Sequence, residues 1–344
     1  MIVRLLRGLA LLPLLTAAAC SARPADCARP EVVCVGLVTS TAGADDHGLN
    51  ESAWQGIQQA QADGLIQKGD VIESVDSRDY TKNIAAFAEQ HYDLVIAGGA
   101  GLRDETLLAA RSYAHMLFVG LDQELPDEAP PNFTAVRFAE DQGGYLAGAL
   151  AASVSRTGVV GAVCETADLP SMWRACEGFR AGALAANPQA RVMLAYHDQG
   201  FKEDLFSDEA WARKAAGDLF RQGADVILGA GGRMGQAAVQ AAGEAGIWSI
   251  GWEQDAFFEV PEAGGSVLAS VLPDARTAVL DLVRAQVREG ETGPVIVGPM
   301  ILSPYHGSER FIPDSVQKML VELAAGLRSG RVVTNVPEEK PEGQ

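Results

Sequence analysis

Along the chain, short apolar runs rich in β-branched residues alternate with stretches whose apolar positions recur every three or four residues. The runs at 32–38 (VVCVGLV), 93–98 (DLVIAG), 116–121 (MLFVGL), 159–163, 191–196, 225–229, 247–252 and 266–272 predict strands. Helical spacing covers 52–65, 104–114, 142–155, 171–186, 207–221, 234–244, 276–288 and 314–328. Strands alternating with helices imply βαβ units and parallel sheets.

The pattern repeats itself. YDLVIAGGAGLRDETLLAARSYAHMLFVGLDQE (92–124) and ADVILGAGGRMGQAAVQAAGEAGIWSIGWEQD (224–255) share one order of features. In each, an Asp precedes an apolar strand, a Gly cluster and an Ala-rich helix, and a second strand ends at an acid followed by Gln. The chain therefore holds two similar α/β halves. Each sets a Gly-rich turn and a carboxylate at the carboxyl end of a strand, where open α/β sheets bind ligands. Two such lobes face to face make a cleft with one acid from each side.

Composition bounds the chemistry. The 344 residues carry 45 acidic and 27 basic side chains, a formal net charge of −18, which disfavours a nucleic-acid partner. Arg4 and Arg7, the apolar stretch 9–19 and the small residues Ala17–Ala19 ahead of Cys20 form a secretory signal, placing a signal peptide at 1–19. The small-residue run ending at Cys20 also resembles a bacterial lipobox, with Ala17 where Leu is preferred. Acylation of Cys20 would anchor the protein to a membrane, each buried methylene contributing about 0.8 kcal/mol, and ordinary cleavage after Ala19 would release it. Residues 20–30 are then the lipidated Cys and a tether. Cys27, Cys34, Cys164 and Cys176 remain. In an exported chain this even number suggests disulfides, and the sequence-local pairing is Cys27–Cys34 and Cys164–Cys176. Buried free thiols and a zinc site are the alternatives.

Asp122 and Glu253 are the repeat-related acids. They could flank a glycosidic bond, hold a divalent cation, accept hydrogen bonds from sugar or ribose hydroxyls, or cap neighbouring turns. Hydroxyl recognition ranks first, because acids on two mobile lobes suit clamping better than fixed acid/base chemistry. GAGGRMG (229–235) only partly matches a dinucleotide fingerprint; its glycines, Gly231 and Gly232 among them, let backbone N–H groups approach a ligand. In the loop TSTAGADDHGLNESAWQG (39–56), Asp45 and Asp46 disfavour a phosphate at the helix start. Asn50 suits a base edge or a helix cap. Phe206 either stacks on a flat ring or staples the following helix, and Trp252 is placed to line the wall beside Glu253; Trp173 and Phe201 are weaker candidates. His47 is a lone histidine with no assigned chemistry. No catalytic triad, metal-ligand spacing or helix-turn-helix pattern is present, so no metal or cofactor is expected.

These residues carry a family resemblance. DDHGLNESAWQG (45–56), GGYLAG (143–148), QGADVILGAGG (222–232) and IGWEQD (250–255) resemble the basic membrane lipoprotein family, purine-nucleoside-binding receptors of bacterial ABC importers. The resemblance runs from about Val33 to about Val336. It implies a type I periplasmic-binding-protein fold, two doubly wound parallel-sheet lobes joined by three crossings. The lobes would be 31–138 plus 274–302 and 139–273 plus 303–336, with a disordered tail at 337–344. Crossings are expected near Phe138–Glu140, Leu272–Asp274 and Ile301–Ser303.

The resemblance further implies that Asp46 and Asn50 recognise the base and that Asp122 and Glu253 bind the ribose hydroxyls. Phe206 would stack on the purine, and Gly231 and Gly232 would offer backbone contacts. Three positions depart from the family pattern: Leu49 replaces a stacking Phe, Glu253 a shorter Asp, and Pro273 a Lys. The expected protein is a monomeric, lipid-anchored solute receptor that performs no chemistry and delivers a nucleoside-like ligand to an ABC permease. An envelope sensor of the same fold, and a nucleosidase or glycosidase using Asp122 and Glu253, are the alternatives.

Overall fold

The computed structural model describes residues 25–198, 207–289 and 293–341. In chain order the first part comprises β1 (Cys34–Thr39), α1 (Leu49–Ala62), β2 (Lys68–Ile72), α2 (Tyr80–Glu89), β3 (Leu94–Gly98), α3 (Arg103–Ser112), β4 (Leu117–Leu121) and β5 (Phe133–Phe138). There follow α4 (Glu140–Val154), β6 (Val159–Cys164), α5 (Pro170–Ala186), β7 (Arg191–Tyr196), α6 (Glu209–Arg221), β8 (Val226–Ala230), α7 (Gly232–Ala245), β9 (Trp248–Trp252), α8 (Ala256–Glu259) and β10 (Val267–Pro273). Last come α9 (Ala275–Glu289), β11 (Val295–Gly298), β12 (Met300–Leu302) and α10 (Asp314–Arg328).

The strands form two six-stranded sheets, ordered β11-β5-β4-β3-β1-β2 and β12-β10-β9-β8-β6-β7. The first is wholly parallel, and in the second only β12 runs antiparallel, against β10. The inner orders 5-4-3-1-2 and 10-9-8-6-7 are the same topology written twice, which is the sequence repeat in three dimensions. β1, β3 and β8 are buried at every residue, as parallel strands covered on both faces must be, so they read as unbroken apolar runs.

Besides the helix α2, the strands that the sequence did not predict are those without such a run. The edge strand β2, KGDVI, is half-buried and carries two charges. β5, FTAVRF, is interrupted by Thr134 and Arg137. Pro299 divides one apolar stretch into β11 and β12, which belong to different sheets; proline cannot donate to a ladder. The third crossing is therefore at Pro299 rather than at Ile301–Ser303, and Met300–Leu302 join the second lobe. The other crossings fall where β5 meets α4 and β10 meets α9. Hydrogen bonds knit the three together: Ala139 N–H to the Gly298 carbonyl at 3.0 Å, and Asp274 N–H to the Pro299 carbonyl at 2.9 Å.

The chain end is also ordered further than expected. Through residue 341 it packs along the second lobe and reaches the first. Glu338 accepts from Arg137 of β5 at 2.9 Å with its carboxylate, and from Arg174 of α5 at 2.9 Å with its carbonyl. Two disulfides are present, Cys27–Cys34 and Cys164–Cys176, with Cα separations of 5.8 and 6.6 Å. They fasten the tether to β1 and the second turn of α5 to the end of β6, and no thiol of these four is left for zinc.

In the second lobe α4 and α5 cross almost in backbone contact. A Cβ at Gly148 would lie 1.9 Å from the Phe179 carbonyl oxygen, and one at Gly182 2.0 Å from that of Tyr145. Backbone cannot move aside as a flexible side chain can. Gly148→Ala is therefore expected to destabilise the protein by about 1–3 kcal/mol, the usual cost of overpacking, measured by urea denaturation.

Candidate ligand-binding cleft

Asp122 follows β4 and Glu253 follows β9, at the carboxyl edges of the two sheets. Both take left-handed backbone, φ 57° and 66°. Each amide bonds back to the adjacent strand at 2.7 Å, Asp122 N–H to the Val136 carbonyl and Glu253 N–H to that of Val271. The strand thus ends in a sharp turn that lifts its acid off the sheet and into the cleft. Gly99 and Gly231 form a second matched pair, φ 109° and 97°. The Glu165 side chain lies directly over Gly231, where a Cβ would approach Glu165 Cγ to 2.2 Å. Glycine is required at 231 by both its backbone angle and this contact.

A cavity of about 190 Å³ lies between the lobes. Asp46, Leu49 and Asn50 line it from the first lobe's loop, with Asp122 and Glu253 from the two strand ends. Glu140, Gln254, Ser40, Ala42, Ser171, Phe138, Pro273 and Met300 complete the wall among the described residues. Glu140 and Gln254 were not legible as site residues, since Glu140 is brought there only by the first crossing. Trp252, Gly231 and Gly232 do not line this cavity. Trp252 is buried and acts from behind, its indole N–H donating to Glu253 Oε1 at 3.0 Å. Phe206, Phe201 and Cys20 lie outside the described residues, and Trp173 is buried in α5.

The loop after β1 is organised by Asp46. Its Oδ1 accepts the N–H groups of Gly48 and Glu51, each at 3.0 Å. Its Oδ2 accepts Asn50 N–H at 3.0 Å and Asn50 Nδ2 at 2.9 Å. An Asp at a helix start supplies acceptors to the orphan N–H groups and a charge suited to the dipole. All four acceptor positions of the carboxylate are then used within the protein. Asp46 consequently serves the cleft by fixing Asn50, which also donates to Ser40 Oγ at 3.1 Å. Asn50 is 1 % exposed, and its Oδ1 has no partner among the described residues.

The electrostatics are one-sided, because among the described residues no Lys, Arg or His lines the cavity. Asp122 and Glu253 are open to water inside the cleft but walled by protein. That enclosure pushes the Asp122 carboxyl well above its usual range, reinforced by Glu253, Glu140 and Glu124. Enclosure raises Glu253 as well, and the Trp252 hydrogen bond opposes it. Glu140 is raised by burial, with Arg174 pulling the other way from 2.9 Å. Glu165, 8 % exposed, is pushed up to about 7 by burial and then by Glu253.

Because Glu165 titrates near 7 when folded and near 4.5 otherwise, the folded protein keeps a proton that the unfolded chain releases. Its contribution turns unfavourable as pH rises through that window and is constant above it. Glu165→Gln removes the cost. Its melting temperature should exceed wild type by a few degrees at about pH 8 and match it at about pH 4, as read by scanning calorimetry.

The geometry agrees with the comparisons. Residues 33–295 match the Bmp family, described as ABC transporter substrate-binding protein PnrA-like. The ABC transporter nucleoside-binding protein BmpA of Lactococcus lactis is 28% identical over 264 residues, covering 72% of each chain. Basic membrane protein D of Borreliella burgdorferi is 28% identical over 284 residues, 79% of this chain and 76% of that one. An ABC transporter solute-binding protein from Conexibacter woesei has a similar structure, with a TM-score of 0.67, 25% identity, and coverage of 89% and 99%. A myo-inositol binding protein from Caulobacter shares the fold at a TM-score of 0.51 and 16% identity, covering 85% of this chain and 99% of that one. The chain belongs to the Bmp family of PnrA-like ABC transporter substrate-binding proteins.

Proposed function

We propose that this substrate-binding protein captures a neutral, hydroxyl-rich nucleoside between its lobes and presents it to an ABC permease from a lipid anchor at Cys20. The observation that carries the reading is the pair Asp122 and Glu253, one from each lobe, exposed to a common cavity that no Lys, Arg or His lines among the described residues. Carboxylates accept from vicinal hydroxyls at several lone-pair positions. Along the described wall only Glu140 has a cation partner, Arg174, and the remaining acids repel phosphate, so nucleotides are disfavoured. Asn50 offers the amide on the base side, and the family resemblance assigns the stacking ring to Phe206, which lies outside the described residues. The name of the Lactococcus relative, a nucleoside-binding protein, supports the same ligand class.

Mature protein beginning after Cys20 would be melted with adenosine, guanosine, inosine, pyrimidine nucleosides, nucleotides and simple sugars. A purine nucleoside at 100 times its dissociation constant should stabilise by about 2.7 kcal/mol, a shift of several degrees, and its 5′-phosphate should give none. No shift with any nucleoside would exclude the ligand assignment. Asp122→Asn should weaken the nucleoside roughly 10- to 100-fold, the worth of a hydrogen bond to a charged acceptor, by titration calorimetry. Chromatography of the same mixtures tests the hydrolytic alternative, which requires free base to accumulate.

A further inference from the structure

The two lobes touch beside the cavity through residues that do not line it. His47, between β1 and α1, has left-handed backbone with φ 46°, which a non-glycine residue adopts at a cost. Its carbonyl accepts the Asp255 N–H of the other lobe at 3.1 Å. Its ring stacks on Phe258 of α8, centroids 4.3 Å apart and 28° between planes. Each ring is braced from its own side. Glu51 Oε2 lies 3.3 Å from His47 Nδ1. Phe258 meets Phe257 and His306 edge-on at 5.2 and 5.1 Å, and His306 is held by Asp255 at 2.7 Å. Phe258 nevertheless remains 46 % exposed, so its stabilising contact across the cleft comes from His47.

We propose that His47 and Phe258 form a closure latch, an aromatic pair between the lobes that sets how long a ligand is retained without touching it. His47 is adjacent to Asp46, and Asp255 is adjacent to Gln254; Asp46 and Gln254 both line the cavity. The Gln254 amide also reaches the Asp46 carbonyl at 3.5 Å. Opening the cleft must part the stacked rings and break the bond to the His47 carbonyl. The latch therefore acts on the open–closed equilibrium, and on dissociation more than on capture. His47 and Phe258 are positioning residues: His47 is held in left-handed backbone and Phe258 is left largely exposed, and their rings meet each other across the cleft.

The nucleoside reading enters only through the choice of probe. Inosine dissociation would be timed by stopped-flow displacement for wild type, His47→Ala, Phe258→Ala, the double variant and His47→Tyr. Either alanine variant should release inosine roughly 3- to 10-fold faster, the scale of one aromatic pair, with the association rate unchanged. The double variant should be no faster than the faster single one, and His47→Tyr, which keeps a ring, should stay within about twofold of wild type. Dissociation rates unchanged in both single variants, or rate effects that multiply in the double, overturn the latch. Small-angle scattering of the same proteins without ligand gives a second readout. His47→Ala should have a larger radius of gyration than wild type and His47→Tyr should not, and equal radii overturn the proposal. If inosine binds no variant, the nucleoside assignment fails and scattering alone decides the latch.

Discussion

Each half of this protein ends a buried strand in a left-handed acidic residue whose amide is tied to the next strand at 2.7 Å. The cleft depends on that turn. Left-handed backbone is unfavourable for a side chain larger than glycine, and the bond to Val136 or Val271 holds Asp122 or Glu253 there against the strain. Strain stored at a site is a recurrent feature of ligand-binding geometry. Its appearance at two repeat-related positions shows that one solution was used in both lobes. The wall that follows has acceptors on both sides and, among the described residues, no cation lining it.

The hinge answers a different constraint. Closing two lobes on a ligand needs connections that bend without letting the sheets slip. Three short crossings meet at Ala139, Asp274 and Pro299 and hydrogen-bond to one another, so they bend as one unit. The chain end adds a second tie near the same place, through Glu338 to Arg137 and Arg174. Arg174 is buried against Glu140, a cavity residue, so the acid nearest the hinge is the one given a partner. A buried charge without a partner is expensive, and Glu140 is itself buried. Asp122 and Glu253 face water, and only Glu253 Oε1 is engaged, by Trp252.

Much of this was legible in the chain. The apolar runs of the inner parallel strands, the duplicated strand–Gly–helix–strand–acid unit and the family motifs pointed to two α/β lobes and to the acids between them. Local periodicity is strong where a strand is covered on both faces, and weak at β2, β5, β11 and β12, where edges, charges or Pro299 interrupt it. Asp46 was visible as a conspicuous acid, but whether it faces a ligand or its own helix depends on which N–H groups lie within 3 Å. Glu140, Glu165 and His47 gave no local signal at all, since what matters about each is a neighbour far away in sequence.

The sequence by itself determined the buried inner strands, most of the helices, their order and the carboxylates at the strand ends. Those follow from hydrophobic periodicity and from the repeat, which are properties of neighbours along the chain. The tertiary structure alone decided which acids are compensated, where the chain crosses between sheets, that the end of the chain clasps the hinge, and that His47 meets Phe258. Such contacts join residues as distant as 47 and 258, or 137 and 338. They exist only once burial has brought the lobes together, because the distances that fix hydrogen bonding and desolvation are set by packing rather than by separation along the sequence.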